Sequence, residues 1–350
     1  MNRRRAATLE DVARAAGVSR ATVSFALSGT GRLSDETRVR VRAVAAELDY
    51  AVNLGARNLR RARAGAIGLY LPESTNGLAY YMDFIFGVVE VASASGQSVT
   101  IVAGSETTGT VQAHVDGFIL IDPPDDDAAV RRILEGRLPV VSGEVVPAAL
   151  PAPWGTVYSD HSLGMAQLMD HLHERGSRRP ALIAPATNTT WGRSLLESYQ
   201  SWCAARGIRP LVRESSRRFM PDDVRRVATE LLVSDDRPDA IVSAPDGSAV
   251  GAVSAARALG LNVGDDVLVS AYADSLAMQM CDPPVTAIDL HARDFGMRCA
   301  RLLLSALTPA PLGEQAPDAA PAPPATAPDA PPIVEPFTID LRVRASTAGA

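Results

Sequence analysis

Residues 8 to 28, Thr-Leu-Glu-Asp-Val-Ala-Arg-Ala-Ala-Gly-Val-Ser-Arg-Ala-Thr-Val-Ser-Phe-Ala-Leu-Ser, constrain the fold more than any other stretch. They read as two short helices turned at a single glycine. Thr8 is placed to cap a first helix through its hydroxyl, with Asp11 three residues on completing a capping-box-like pair. Leu9, Val12, Ala13 and Ala16 then recur at helical spacing and form one apolar stripe. Gly17 supplies the turn, and Ser19 caps the second helix. That helix turns Val23, Ala26 and Leu27 inward and leaves Arg20, Ala21, Ser24 and Phe25 on or near its outer side. A plain helical hairpin carries such stripes too, and the sequel is what favours a helix-turn-helix. Ser34 caps a third helix with Asp35 and Glu36 in its first turn, and Val41, Val44, Ala45 and Leu48 give it a face to cover the other two. Three helices packed this way leave one outer face free for a DNA major groove.

Charge points the same way. Residues 1 to 65 hold 13 Arg against 6 Asp plus Glu, a net +7, so the other 285 residues carry 21 against 34, a net −13. An acidic whole-chain balance of −6 therefore hides a basic head. Every one of the 34 basic residues is Arg, which follows from base composition and carries no functional weight.

At 350 residues the chain is long enough for a small head and a two-lobed body. It has no uninterrupted apolar run of about 18 residues to span a bilayer. Arg3, Arg4 and Arg5 are not followed by an apolar signal-peptide core, so the cytoplasm is the expected compartment. Cys203, Cys281 and Cys299 are odd in number and widely spaced, which suggests reduced thiols. No Gly-x-Ser-x-Gly elbow, phosphate-cradling loop or His-Glu-x-x-His is present, and the five His are scattered. No enzyme, cofactor or metal site is expected. His171 and His173 are two apart on a helix and cannot share a metal.

The run Leu9-Glu-Asp-Val-Ala, Gly17-Val-Ser, Ala21-Thr-Val-Ser, Leu27-Ser, Asp35-Glu-Thr-Arg and Tyr50 resembles the head of the lac repressor (LacI/GalR) family. The likeness continues through Asn53-Leu-Gly-Ala-Arg-Asn-Leu-Arg into Gly65-Ala-Ile-Gly-Leu and, with further echoes, over almost the whole chain. It implies an α/β protein: a three-helix head, a hinge, and a two-lobed periplasmic-binding-protein-like body of parallel sheets with flanking helices. The expected boundaries are 7–50 for the head, 51–65 for the hinge and 66–350 for the body. Within the body, 66–158 and 286–307 are expected in the first lobe, 159–285 and 333–346 in the second, and the Ala/Pro-rich stretch 308–332 as an inserted linker.

Asn53 can cap a hinge helix too short to be stable alone, which should fold on DNA. The resemblance makes Leu59 a wedge entering the minor groove and Ala56 a contact with its symmetry mate; Leu59 touching the body is the alternative. Val52 stands where the family usually has proline.

From residue 66 strands alternate with helices, the mark of a mostly parallel sheet covered on both faces. The Asp125-Asp-Asp run fits a helix start better than a metal site. The closing stretch from Phe337 to Thr347 alternates as one strand.

By position in the family pattern, Arg20, Ala21 and Phe25 are expected to read bases. Arg offers a donor pair to guanine, while Ala and Phe make apolar contact with thymine methyls. Core packing is the alternative for Phe25. Ser19, Thr22, Ser24 and Arg32 are candidates for phosphate contact. In the body, Asp160, Arg193, Asp246 and Asp274 match polar positions of the family's cleft, and Trp191 could supply a stacking face; helix caps and surface ion pairs are the alternatives. Ala273 replaces a common ligand-contacting acid, which weighs against a sugar-like effector.

The implied function is a sequence-specific transcriptional regulator, a repressor acting as a homodimer on a palindromic double-stranded operator, with a small-molecule effector such as a sugar or related metabolite between its lobes. No membrane partner is expected. The alternative is a periplasmic-type binding protein with no DNA role, which has no use for a +7 head.

Overall fold

The computed structural model describes residues 7–28, 31–50, 63–72, 79–103, 111–112, 114–214, 221–308 and 331–348. The hinge residues Asn53, Ala56 and Leu59 lie outside the described residues, as does most of the Ala/Pro-rich stretch. The chain divides into two units, Met1–Ala62 and Arg63–Ala350.

The first unit holds α1 (Leu9–Ala16), α2 (Arg20–Ser28) and α3 (Asp35–Glu47). The Thr8 hydroxyl accepts the Asp11 N–H at 3.3 Å, and Asp11 accepts the Thr8 N–H at 2.9 Å, so the capping box is complete. Gly17, at φ 67°, ends α1 in the left-handed region that glycine tolerates best. Val12, Val23, Ala26 and Val41 are wholly buried together, with Ala13, Ala16 and Ala45 beside them. Short side chains let three short helices approach closely. Leu48, expected on this inner face, is 38% exposed because α3 has ended and Leu48 is its C-terminal cap.

The second unit begins with β1 (Ala66–Leu71), α4 (Ala79–Ala94), β2 (Ser98–Ala103), β3 (Gly117–Ile121), α5 (Ala128–Leu134), β4 (Val140–Gly143) and β5 (Gly155–Ser159). It continues with α6 (His161–Glu174), β6 (Pro180–Ala184), α7 (Thr190–Ala205), β7 (Leu211–Glu214), α8 (Pro221–Leu232), β8 (Ala240–Ser243), α9 (Ala249–Ala258), β9 (Leu268–Ala271), α10 (Leu276–Met280) and β10 (Thr286–Asp289). Last come α11 (Ala292–Leu307), β11 (Ile333–Phe337), β12 (Asp340–Arg342) and α12 (Ala345–Ala348).

The strands form two six-stranded sheets, ordered β11-β5-β4-β3-β1-β2 and β12-β10-β9-β8-β6-β7. All neighbours are parallel except β10 and β12. Helices cover both faces of each sheet, so the central strands are apolar along their length, as β3 is from Gly117 to Ile121. The chain crosses between the sheets after β5, after β10 and after β11.

This topology corrects the expected lobe boundaries. Residues 286–289 belong to the second sheet, as β10 beside β9, so the return crossing falls after Asp289 and not before Thr286. Ile333–Phe337 belong to the first sheet, parallel to β5, and not to the second lobe. The closing stretch is therefore not one strand. After Phe337 it crosses over, pairs antiparallel with β10 as β12, and ends in the short α12. That last turn is locked by buried hydroxyls: Thr347 Oγ1 lies 2.7 Å from His171 Nε2 and 2.5 Å from Thr286 Oγ1. His171 is thus a packing residue, and burial lowers its pKa.

Two glycines set the crossing of α4 and α11 in the first lobe. A Cβ on Gly87 of α4 would fall 2.0 Å from the Arg293 carbonyl oxygen, and one on Gly296 of α11 would fall 2.2 Å from the Phe84 carbonyl oxygen. Backbone cannot yield as a side-chain tip does. Gly296→Ala is expected to force α4 and α11 apart and destabilise the protein by about 1 to 3 kcal/mol, measured as a lower midpoint in urea; an unchanged midpoint would mean the crossing tolerates a methyl.

Candidate functional site

Two regions gather polar side chains with work to do beyond packing. The first is the outer face of α2. Ser19 caps this helix, its Oγ accepting the Thr22 N–H at 3.1 Å and lying 2.9 Å from Thr22 Oγ1. Burial of Val23 and Ala26 fixes which way the helix is turned. Arg20, Ala21 and Phe25 are consequently exposed, Ser24 and Thr22 are half-buried, and Arg32 is exposed beyond the helix. Phe25 stands outside the three-helix core and is 46% exposed, its ring lying over Gly31. Arg20 Nε is 3.4 Å from Glu10 Oε2, both well exposed. An exposed pair of this kind holds weakly, so the guanidinium can exchange it for another acceptor.

The second region is the crevice between the sheets, built where parallel strands end, which is where open α/β sheets gather ligand-binding residues. From the first lobe come Tyr80 and Tyr81 at the start of α4, Asp122 after β3 and Glu144 after β4. The second lobe contributes His161 and Trp191 near the starts of α6 and α7, Asp246 after β8 and Tyr272 after β9. Asp122 and Glu144 have positive φ, 41° and 86°, a backbone geometry that costs an L-residue of order 1 kcal/mol or more.

These residues make three separate sets of polar contacts. Glu144 Oε1 lies 3.1 Å from His161 Nε2, and His161 Nδ1 lies 3.1 Å from the Tyr272 hydroxyl. The Tyr81 hydroxyl donates to Asp122 Oδ2 at 3.5 Å. Asp246 reaches across the crevice, and its Oδ2 accepts the Tyr80 N–H at 2.9 Å. It thereby satisfies a backbone donor at the start of a helix in the opposite lobe. Burial pushes Asp122 up to about 7, with the Glu144 carboxylate adding to the shift. Burial also raises Asp246, against the lowering effect of the Tyr80 and Ala79 backbone N–H groups.

The five cleft residues expected from sequence meet different fates. Asp160 is an exposed helix cap, its Oδ1 accepting the Leu163 N–H at 2.9 Å. Asp274 is held by Arg344, whose Nη1 donates to Oδ1 at 2.9 Å and Nη2 to Oδ2 at 2.5 Å. That pair ties the end of β9 to the chain end, so in this structure it is engaged structurally. Arg193 forms a two-point pair with Asp125 of the opposite lobe, Nη2 to Oδ1 at 3.1 Å, beside the contact of Nη1 with Oδ2. The same rim carries a Pro124–Thr189 bridge and the Asp125 N–H donating to the Asn188 carbonyl at 2.9 Å. Asp125 therefore does not start a helix. Asp127 does, accepting the Ala129 N–H at 2.6 Å. Asp246 and Trp191 do face the crevice, and each carries a buried atom, Oδ1 and Nε1, with no hydrogen-bond partner. Asp122, Glu144, His161, Tyr80, Tyr81 and Tyr272 were not singled out from sequence; for all but Tyr80 and Tyr81, a position just past a strand end was the available signal.

Among the described residues, no group of three or more His, Cys, Asp or Glu is placed to hold a metal, and no helix is long and apolar enough to cross a membrane.

A DNA-reading helical head followed by a two-lobed, binding-protein-like body defines a class of ligand-responsive regulators. Residues 8–53 match the family model for bacterial regulatory proteins of the lacI family, and residues 169–327 match the periplasmic binding protein-like domain. The chain is 32% identical over 322 residues to the HTH-type transcriptional regulator CelR of Thermobifida fusca, covering 88% of this chain and 94% of the relative. It is 28% identical over 318 residues to the ribose operon repressor of Bacillus subtilis, covering 89% and 94%. Among solved structures, the complex of the transcriptional regulator CelR with cellobiose matches with a TM-score of 0.68 at 28% identity, over 97% of this chain and 99% of that one. The lac repressor dimer bound to operator and the anti-inducer ONPF matches with a TM-score of 0.78 at 24% identity over 98% and 99%, a likeness of fold. The chain belongs to the lacI family of bacterial regulatory proteins and is a DNA-binding transcriptional regulator.

The raised Asp122 carboxyl has a measurable consequence. A folded-state pKa above the unfolded one means the native protein holds a proton that the unfolded chain releases between about pH 4 and 7. Its contribution is complete below the unfolded value and is lost as pH rises through about 7. Asp122→Asn is expected to stabilise the protein by about 1 to 2 kcal/mol at pH 8 and by little at pH 4, seen as a pH-dependent difference in melting temperature. A difference that does not change with pH would show that Asp122 titrates normally.

Proposed function

We propose that the protein is a cytoplasmic repressor that binds a palindromic operator as a homodimer, with α2 in the major groove and a small-molecule effector in the interlobe crevice. The observation that carries the DNA-reading part is the exposure of Arg20, Ala21 and Phe25 on one face of a helix whose opposite face is sealed by Val23 and Ala26. Arg20 would supply the bidentate contact to a guanine, and Ala21 and Phe25 apolar contacts to thymine methyls. Ser19, Thr22, Ser24 and Arg32 would grip phosphates, and the positive end of α2 would favour the same anions. Leu59 would wedge open a base step from the minor groove, with Ala56 beside its symmetry mate.

Dimerisation is supported by apolar side chains left on the surface of the body. On α4, Met82, Phe86 and Val89 are exposed at spacings of four and three, which places them in one stripe. On α10, Leu276 and Met280 repeat the pattern. A second copy of the chain would cover both and set two heads side by side, as a two-fold operator requires.

The effector part rests on the crevice ties and its unpaired buried atoms. A ligand that changes the free energy of closing the lobes changes the spacing of the two heads, and so the affinity for the operator.

Arg20→Ala is expected to cost about 1 to 3 kcal/mol on the specific operator and to relax preference at one base position, measured by titration on operator and scrambled duplexes. Equal losses on both would make Arg20 a phosphate contact. Asp125→Asn, which removes the charge facing Arg193, is expected to shift operator affinity by about fivefold or more. Unchanged affinity would separate the crevice from DNA binding.

A further inference from the structure

We propose that the crevice effector is a small hydroxylated compound bearing a protonated amine, of the amino sugar type, held by the Asp246 and Glu144 carboxylates and the Trp191 indole. The proposal rests on the reading that an effector occupies the crevice, and it specifies the chemistry of that effector.

Three observations carry it. The first is the imbalance of charge. Asp122, Glu144 and Asp246 converge on the crevice, while the nearby arginines are committed elsewhere, Arg193 to Asp125 and Arg344 to Asp274. His161, against Glu144, is the remaining titratable base in the crevice. Asp122 holds its proton up to about pH 7, so Glu144 and Asp246 are the acids set against one imidazole in a partly desolvated space, where a counter-charge gains most.

The second observation is independent of charge count. Asp246 is 8% exposed, its Oδ2 accepts the Tyr80 N–H, and its Oδ1 is buried with no hydrogen-bond partner, near the Ser275 hydroxyl, which is itself buried and unpartnered. A carboxylate oxygen only accepts, so its missing partner is a donor. An ammonium group supplies donors and charge together. The Trp191 Nε1–H is an unpaired donor on the same side and requires an acceptor, which a hydroxyl provides. An alkylamine lacks that acceptor, and a simple sugar lacks the charge.

The third is the aromatic wall. Tyr80 packs against the apolar clusters of both lobes, Tyr81 stands edge-on to it at 5.3 Å, and Trp191 and Tyr272 belong to or border the second-lobe cluster. Ring faces attract both sugar C–H faces and cations. The raised Asp122 fits the same picture, since a cation in the crevice would restore its ionised form.

The test uses the full chain and matched ligands: D-glucosamine and the β-1,4 glucosamine disaccharide against D-glucose, cellobiose and N-acetylglucosamine, measured at neutral pH by calorimetry and by operator release. The expected result is that one of the two amines binds about tenfold or more tighter than its neutral counterparts, and that this preference disappears in Asp246→Asn. Glu144→Gln, which leaves the cap on α4 in place, is the second variant and should also reduce the preference. A neutral sugar that binds as tightly and shifts operator affinity would overturn the amine assignment while leaving the crevice-effector reading intact. Failure of all five to bind would overturn the amine assignment too, and the crevice reading would then be judged on Asp125→Asn alone.

Discussion

The body of this protein is governed by three short crossings between two parallel sheets. Each leaves a strand of one sheet and enters the other lobe within a few residues, so the ends of the strands must face one another. Polar groups that would otherwise need water find partners across the gap. The Tyr80 N–H, an unsatisfied donor at the start of α4, is met by Asp246 from the opposite lobe, and Arg193 is met by Asp125. Separating the lobes would exchange these contacts for hydrogen bonds to water. These contacts join the lobes in this structure, and anything bound between them is placed to alter them.

The head obeys a different economy. Its core is seven small or β-branched residues, wholly or almost wholly buried, which is little apolar area for three helices. Capping makes up part of the difference: Thr8 with Asp11, Ser19 and Ser34 each satisfy N–H groups that a short helix cannot satisfy itself. The same economy dictates the outer face. With Val23 and Ala26 turned inward, the next positions around α2 must be outside, and there the chain presents an arginine, an alanine and an aromatic ring. Basic charge is concentrated in this part of the chain, while the acidic excess lies in the body, where Asp122, Glu144 and Asp246 gather.

Much of this was legible in the sequence because it depends on local rules. Helical spacing with Thr8, Gly17 and Ser34 as punctuation placed the head, and the alternation of strands with helices from residue 66 indicated mostly parallel sheets covered on both faces. What escaped depends on long-range pairing. Phe337 and Asp340–Arg342 read as parts of one alternating strand, since nothing local marks the point where the chain leaves one sheet for the other. Asp125, Asp126 and Asp127 looked equivalent, yet Asp127 caps α5 and Asp125 pairs with a residue 68 positions away. Asp274 and Asp160 matched cleft positions by sequence, but Arg344 and the Leu163 N–H engage them. Asp122 and Glu144 went unnoticed because an acidic residue after a strand resembles any loop carboxylate until the opposite lobe is in place.

The central claim is that the basic head recognises a particular duplex and that the body presents two heads to it. Selection of binding sites from a random duplex pool by the full chain at moderate salt tests this most directly. The account predicts enrichment of a two-fold symmetric sequence with half-sites of fixed spacing. Retention of the pool without sequence preference, or enrichment of a single unpaired half-site, would contradict it.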